Sequence, residues 1–124
     1  MVESKIGRSN EPITVTQSDL GQVAIVHVSG EIDMATSETM AERVLGRLAE
    51  RPPTLVIDLS GVEFLGSAGL SVLIEASQQA EQGATTLRII ATAPPALRPL
   101  EISGLLDILP VCRSLTEALQ GLRD

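Results

Sequence analysis

The sequence predicts an α/β fold, a mixed sheet of four to five strands with about four helices packed against it. Three observations carry that expectation. Leu55-Val56-Ile57-Asp58-Leu59 is a short run rich in β-branched residues and reads as a buried strand. Leu70, Leu73, Ile74, Ser77 and Ala80 then recur at the spacing of a helix with one face on a core. Short apolar runs and helical stripes alternate along the rest of the chain in the order β-β-α-β-α-β-α-β-α, with no internal repeat or linker.

Residues 1–12 mix Ser, Gly, Asn and Pro without an apolar period and read as a loose lead-in, which places the folded domain at 13–124. Ile13-Thr14-Val15-Thr16 alternates like an edge strand, and Ser18-Asp19-Leu20-Gly21 is a turn cluster. Gln22 to Ser29 is nearly all apolar, as in a strand buried on both faces, with His27 as the interruption. Gly30-Glu31-Ile32-Asp33 ends it, and Thr36 or Ser37 is positioned to cap a helix whose stripe is Ala41, Val44, Leu45 and Leu48. Glu38 and Glu42 lie early in that helix and Arg43, Arg47 and Arg51 late, matching its dipole on a solvated face. Arg51-Pro52-Pro53 stops it. Beyond the central helix, Gln82-Gly83-Ala84 is a cap and turn, and Leu87 to Ala91 is a strand. Pro94-Pro95 opens a short helix bent at Pro99 and stopped at Gly104. Leu106 to Val111 reads as a brief last strand, and Ser114-Leu115-Thr116-Glu117 as a capping box opening a final helix through Leu122.

With 124 residues the chain has material for one hydrophobic core. A formal charge of −7 argues against a nucleic-acid partner, since phosphate binding relies on clustered Lys and Arg. Phe64 is the sole aromatic, so there is almost nothing on which bases or sugars would stack. Apolar runs such as Val23-Ala24-Ile25-Val26 are far too short to span a membrane, and the N-terminus lacks a secretory signal pattern; a cytoplasmic protein is expected. Cys112 is alone, so it makes no internal disulfide or metal cluster and is expected to fill a half-buried niche.

Chemistry gathers where the central strand hands over to the central helix. Gly61, Gly66, Ser67 and Gly69 lie there, at a helix N-terminus that offers free N–H groups and the positive dipole end to something polar or anionic. Gly61 and Gly66 have the G-x-x-x-x-G spacing of a phosphate loop, but Ser67 and Ala68 stand where Lys and Ser or Thr are needed, leaving at most weak nucleotide binding. A nucleophile elbow is absent, and no histidine follows Ser67. Asp33 and Asp58, both expected at strand ends, form no recognisable acid–base pair. No catalytic residue, metal or cofactor is therefore expected. Ser67 is either a plain N-cap, worth roughly 1 kcal/mol to its helix, or a regulated surface group.

The strings Gly30-Glu31-Ile32-Asp33, Val56 to Leu65, Ser67 to Leu73 and Thr116-Glu117-Ala118-Leu119 resemble the STAS domain of bacterial anti-anti-sigma factors, over roughly residues 13 to 122. The resemblance implies a binding switch rather than an enzyme. Such a domain sequesters an anti-sigma factor, typically a serine kinase of the histidine-kinase ATPase type, and so frees a sigma factor. The kinase phosphorylates a serine at the start of the central helix, and a serine phosphatase reverses this. The loop departs from the family pattern at two positions: Gly66 replaces an Asp, and Ala68 takes the place of the usual acceptor serine. Ser67 is the hydroxyl left in the loop; Ser71 lies a turn inside the helix. The implied site is Asp33, Gly66, Ser67, Ala68, Gly69, Leu70 and Ser71, with Ser67 as acceptor. The alternative is a STAS scaffold or sensor module in a multi-protein complex that stays unphosphorylated.

Overall fold

Strand order in the sheet repeats strand order in the chain. A computed structural model describes residues 13–122, and within them five strands lie in the order β1-β2-β3-β4-β5. The strands are β1 (Ile13–Leu20), β2 (Val23–Ile32), β3 (Thr54–Leu65), β4 (Thr86–Ile90) and β5 (Val111–Cys112). Four helices join them: α1 (Ser37–Ala49), α2 (Ser67–Gln82), α3 (Pro94–Ile102) and α4 (Leu115–Ala118). Only β1 and β2 are antiparallel; each later pair is parallel. The mixed sheet and the nine-element order match the expectation from sequence. The lead-in at 1–12 lies outside the described residues.

Crossovers between successive parallel strands place α1, α2 and α3 on one face of the sheet, as a shared handedness of such connections requires. The main core lies beneath them. Ala24, Val26 and Val28 of β2 and Leu55, Ile57 and Leu59 of β3 meet Met40, Val44 and Leu48 of α1, Leu73, Ala76 and Ala80 of α2, and Ala96 and Leu100 of α3. Strand residues of the opposite parity point to the other face, where α4 covers only one side. There Ile25, Val56, Ile90, Cys112 and Ala118 form a second, smaller cluster. The rest of that face carries polar groups.

Several elements differ from their sequence reading. β1 continues through Ser18-Asp19-Leu20, leaving only Gly21-Gln22 as the turn, because the full ladder from Ile13↔Gly30 to Leu20↔Val23 holds those residues extended. β2 is not buried on both faces throughout: His27 and Ser29 are half-exposed on the side α4 leaves open. β3 runs on to Leu65, so Asp58 is mid-strand and Gly61 lies in a ladder. A β-carbon on Gly61 would come within 2.6 Å of Ser29 Cβ, so this glycine permits close strand packing rather than phosphate binding. Gly30 adopts φ +98° beside the register shift at Gly30/Glu31, a conformation glycine takes without penalty. Leu105–Asp107 is a single 3-10 turn, and β5 keeps just two residues. The final helix stops at Ala118, the one residue it buries.

Charge sorting on α1 also acquires a partner. The Arg47 guanidinium donates to Asp19 Oδ1 on β1 at 2.7 Å and to Glu50, so this arginine ties helix to edge strand instead of lying free on a solvated face.

Candidate functional site

At the end of β3 the chain turns directly into α2. Gly66 is the N-cap, in extended conformation, and Ser67 is the first helical residue. Of the two roles left open for Ser67, that of plain N-cap is corrected by one position, since Gly66 holds it. The Gly66 N–H donates to the Ile32 carbonyl at 2.9 Å, and the N–H groups of Gly69 and Leu70 close onto the Gly66 carbonyl at 3.0 and 3.1 Å. Among the described residues, the amides of Ser67 and Ala68 have no acceptor and are open donors at the positive end of the helix. Ser67 and Ser71 are exposed, Ala68 and Leu70 half-buried, and Leu70 packs on the main core. Gly69 is buried against Ile32 and Leu65, which lets the helix start close to β2.

The Gly66–Ile32 bond brings the β2–α1 turn alongside. Asp33 follows Ile32 directly, and its Oδ1 accepts from the Ala35 and Thr36 amides at 2.9 and 3.2 Å, while its carbonyl accepts from the Ser37 amide at 2.8 Å. Thr36 occupies the N-cap position of α1 without capping it. Its hydroxyl instead donates to the Glu31 carbonyl at 2.8 Å and accepts from the Asp33 amide at 2.9 Å. These bonds make a stiff turn whose tip, Met34, stands out with 87% of its surface exposed. On the other flank Phe64 is half-exposed, and its ring lies close enough to Gly66 that a β-carbon there would come within 3.1 Å of it. The implied set of Asp33 and 66–71 is thus brought to one end of the sheet. Met34 and Phe64 join it, although hydrophobicity alone assigns both to the interior.

A separate polar line crosses the open face of the sheet. His27 Nδ1 lies 3.0 Å from Asp58 Oδ2, His27 Nε2 lies 3.1 Å from Ser18 Oγ, and the Ser60 hydroxyl donates to Asp58 Oδ1 at 2.5 Å. Partial burial pushes the Asp58 carboxyl up, but the Ser60 hydroxyl and amide and the His27 ring outweigh it and hold the group below its ordinary value. His27↔Asp58 is a register pair between two parallel strands. No local signal joins residues so far apart in sequence. Cys112, on the α4 side, is buried where a half-buried niche is expected from sequence; burial and then nearby Glu117 push its thiol up against the pull of Arg88, which disfavours the reactive thiolate.

The chain matches the STAS domain model over residues 12–118 and belongs to that family. Proteins named as anti-sigma factor antagonists are among those it resembles. RsfB of Mycobacterium tuberculosis, an anti-sigma-F factor antagonist, is 37% identical over 113 residues, covering 91% of this chain and 92% of that protein. The crystal structure of an anti-sigma factor antagonist from Mycobacterium paratuberculosis aligns with a TM-score of 0.83 at 38% identity, over 90% of this chain and 95% of the other. The Bacillus cell fate determinant SpoIIAA in its phosphorylated form aligns with a TM-score of 0.67 at 15% identity, over 89% and 100%, a likeness of fold alone. Among the described residues no helix is long and apolar enough to cross a membrane.

Proposed function

We propose that this protein is a cytoplasmic anti-sigma factor antagonist. It binds an anti-sigma factor of the serine-kinase type through the end formed by the β2–α1 turn and the start of α2, and so frees a sigma factor. Phosphorylation of Ser67 ends the complex, and a serine phosphatase restores it. The observation that carries the reading is the Ser67 hydroxyl: exposed, at the first position of a 16-residue helix, and without a hydrogen-bond partner among the described residues. The names of the relatives agree with it, and one neighbour of like fold is known in a phosphorylated form.

The chemistry of such a switch follows from the geometry. A phosphate on Ser67 adds about −1.5 to −2 charges beside two open amides and a positive helix end, which accept an anion without rearranging the fold. The surface changes more than the scaffold does. A dianion that must be desolvated in a contact already lined by Asp33 repels the partner unless an arginine meets it. Loss of about 3 kcal/mol in this way is roughly a hundredfold in affinity.

Incubation with the host's anti-sigma kinases and ATP, followed by mass spectrometry, should place one phosphate on Ser67. Ser67→Glu should bind those partners at least tenfold more weakly than Ser67→Ala. Equal binding by the two variants removes the switch. Tight binding with no phosphate incorporated identifies a scaffold or sensor module that works in one form.

A further inference from the structure

We infer that Met34 and Phe64 are the apolar anchors of the partner-binding end, and that the partner meets them with a basic face around an apolar recess. The inference rests on the function proposed above and adds to it the chemistry of the partner. Packing does not require either side chain to be outside. The core is closed without an aromatic ring, by aliphatic residues with Met40 and Cys112, while the chain's single aromatic ring is 52% exposed and Met34 is 87% exposed.

Both residues are carried on fixed backbone. Met34 sits on the turn fixed by the Asp33 and Thr36 bonds, and Phe64 rests against Gly66 in a strand paired with β2 through Glu31↔Phe64. An aromatic ring on a rigid mount binds with little ordering cost, and aromatic side chains are typical of the few residues that dominate an interface. Methionine suits a recess of irregular shape. Ser67 is exposed at the same end, so a contact that seats both anchors also dehydrates its hydroxyl. A phosphate there would then be stripped of water as well as repelled.

The rim supplies the sign of the partner. Segments 31–38 and 63–71 carry Glu31, Asp33, Glu38 and Glu63 and no Lys or Arg. Glu31, Glu38 and Glu63 are exposed. Four carboxylates around two apolar anchors repel an acidic or neutral apolar surface and favour one bearing Lys or Arg.

The test titrates each purified anti-sigma factor of the host, by calorimetry, with wild type, Met34→Ser, Phe64→Ser and Ile102→Ser. Ile102, 80% exposed at the end of α3, is an equally apolar surface residue on a different element. Met34→Ser and Phe64→Ser should each weaken binding about tenfold or more, Ile102→Ser by less than about twofold, and wild-type affinity should fall as salt is raised. Met34→Ser leaves Phe64 and the strand ladder untouched, so it reports on binding even if Phe64→Ser melts early. Wild-type affinity retained by folded Met34→Ser and Phe64→Ser overturns the anchors alone, and salt-independent binding overturns the basic partner. Failure of wild type to bind any of these anti-sigma factors overturns the function on which the inference stands.

Discussion

Gly69 and Ile32 meet with no room for a methyl group between them: a β-carbon on Gly69 would stand 2.7 Å from Ile32 Cγ2 and 2.6 Å from Leu65 Cδ1. Ile32 is fully buried and β-branched, so it has little freedom to move aside. Overpacking at such a contact costs about 1–3 kcal/mol, while alanine regains up to about 1 kcal/mol of helix propensity over glycine. Gly69→Ala should therefore lower stability by on the order of 1 kcal/mol, read as a lower urea midpoint with an unchanged slope. A raised midpoint would mean that propensity outweighs the contact.

Asp33 has a structural task that is separable from its charge. Its Oδ1 accepts two turn amides, and the amide oxygen of asparagine can do the same. Asp33→Ala should cost about 1 kcal/mol in denaturant unfolding, and Asp33→Asn only a fraction of that. If both lose the same amount, the charge and not the turn bonds does the stabilising.

Stability should fall on the acid side partly through Asp58. Its carboxyl is held below the ordinary value in the folded chain, so the unfolded state takes up its proton first as pH drops. The contribution is fully present above the unfolded carboxylate value, about 4, and is lost as pH falls through the lower folded value. Unfolding free energies of wild type and Asp58→Asn, measured from pH 7 to pH 2, should differ most at the neutral end and converge in acid. A constant gap would exclude this linkage.

Ala84 adopts φ +60° where α2 ends, a left-handed conformation without the glycine that such positions favour. The strain costs about 1–2 kcal/mol, and glycine returns about 0.5–1 kcal/mol of it as backbone entropy. Ala84→Gly should raise the melting temperature, with a net gain of about 0.5–1 kcal/mol. A lower melting temperature would show the strain to be relieved locally.

Cys112 should resist alkylation. With its thiol buried and pushed up, iodoacetamide at neutral pH should label the native protein far more slowly than the urea-unfolded chain. Equal rates would mean that β5 and α4 open readily.

Local pattern and long-range pairing divide what could be read in advance. The stripe from Leu70 to Ala80 located α2, and the handover into it located Ser67, because both depend on neighbours in the chain. The apolar run that marks β3 ends at Leu59, whereas pairing with β2 keeps the strand extended to Leu65. Ser114 does accept the Glu117 amide as the capping-box spacing implied, but with only Ala118 buried the helix has no reason to continue. Glu117 itself bonds the Arg113 amide, one residue earlier than that box requires. His27 and Asp58 become partners only through strand register, and Met34 and Phe64 are exposed against their hydrophobicity. The exposed hydroxyl at the start of α2 was therefore legible, and the exposed Met34 and Phe64 near it were not.

A sheet whose strands lie side by side in the sequence of their synthesis has no late insertion to make. Each emerging strand finds its neighbour already in place and docks at a free edge, which keeps the loops to be closed short. The same arrangement makes damage local. Shortening from the C-terminal end should peel β5 and α4 from the margin and leave the β1–β3 block, with the β2–α1 turn and the start of α2, still assembled.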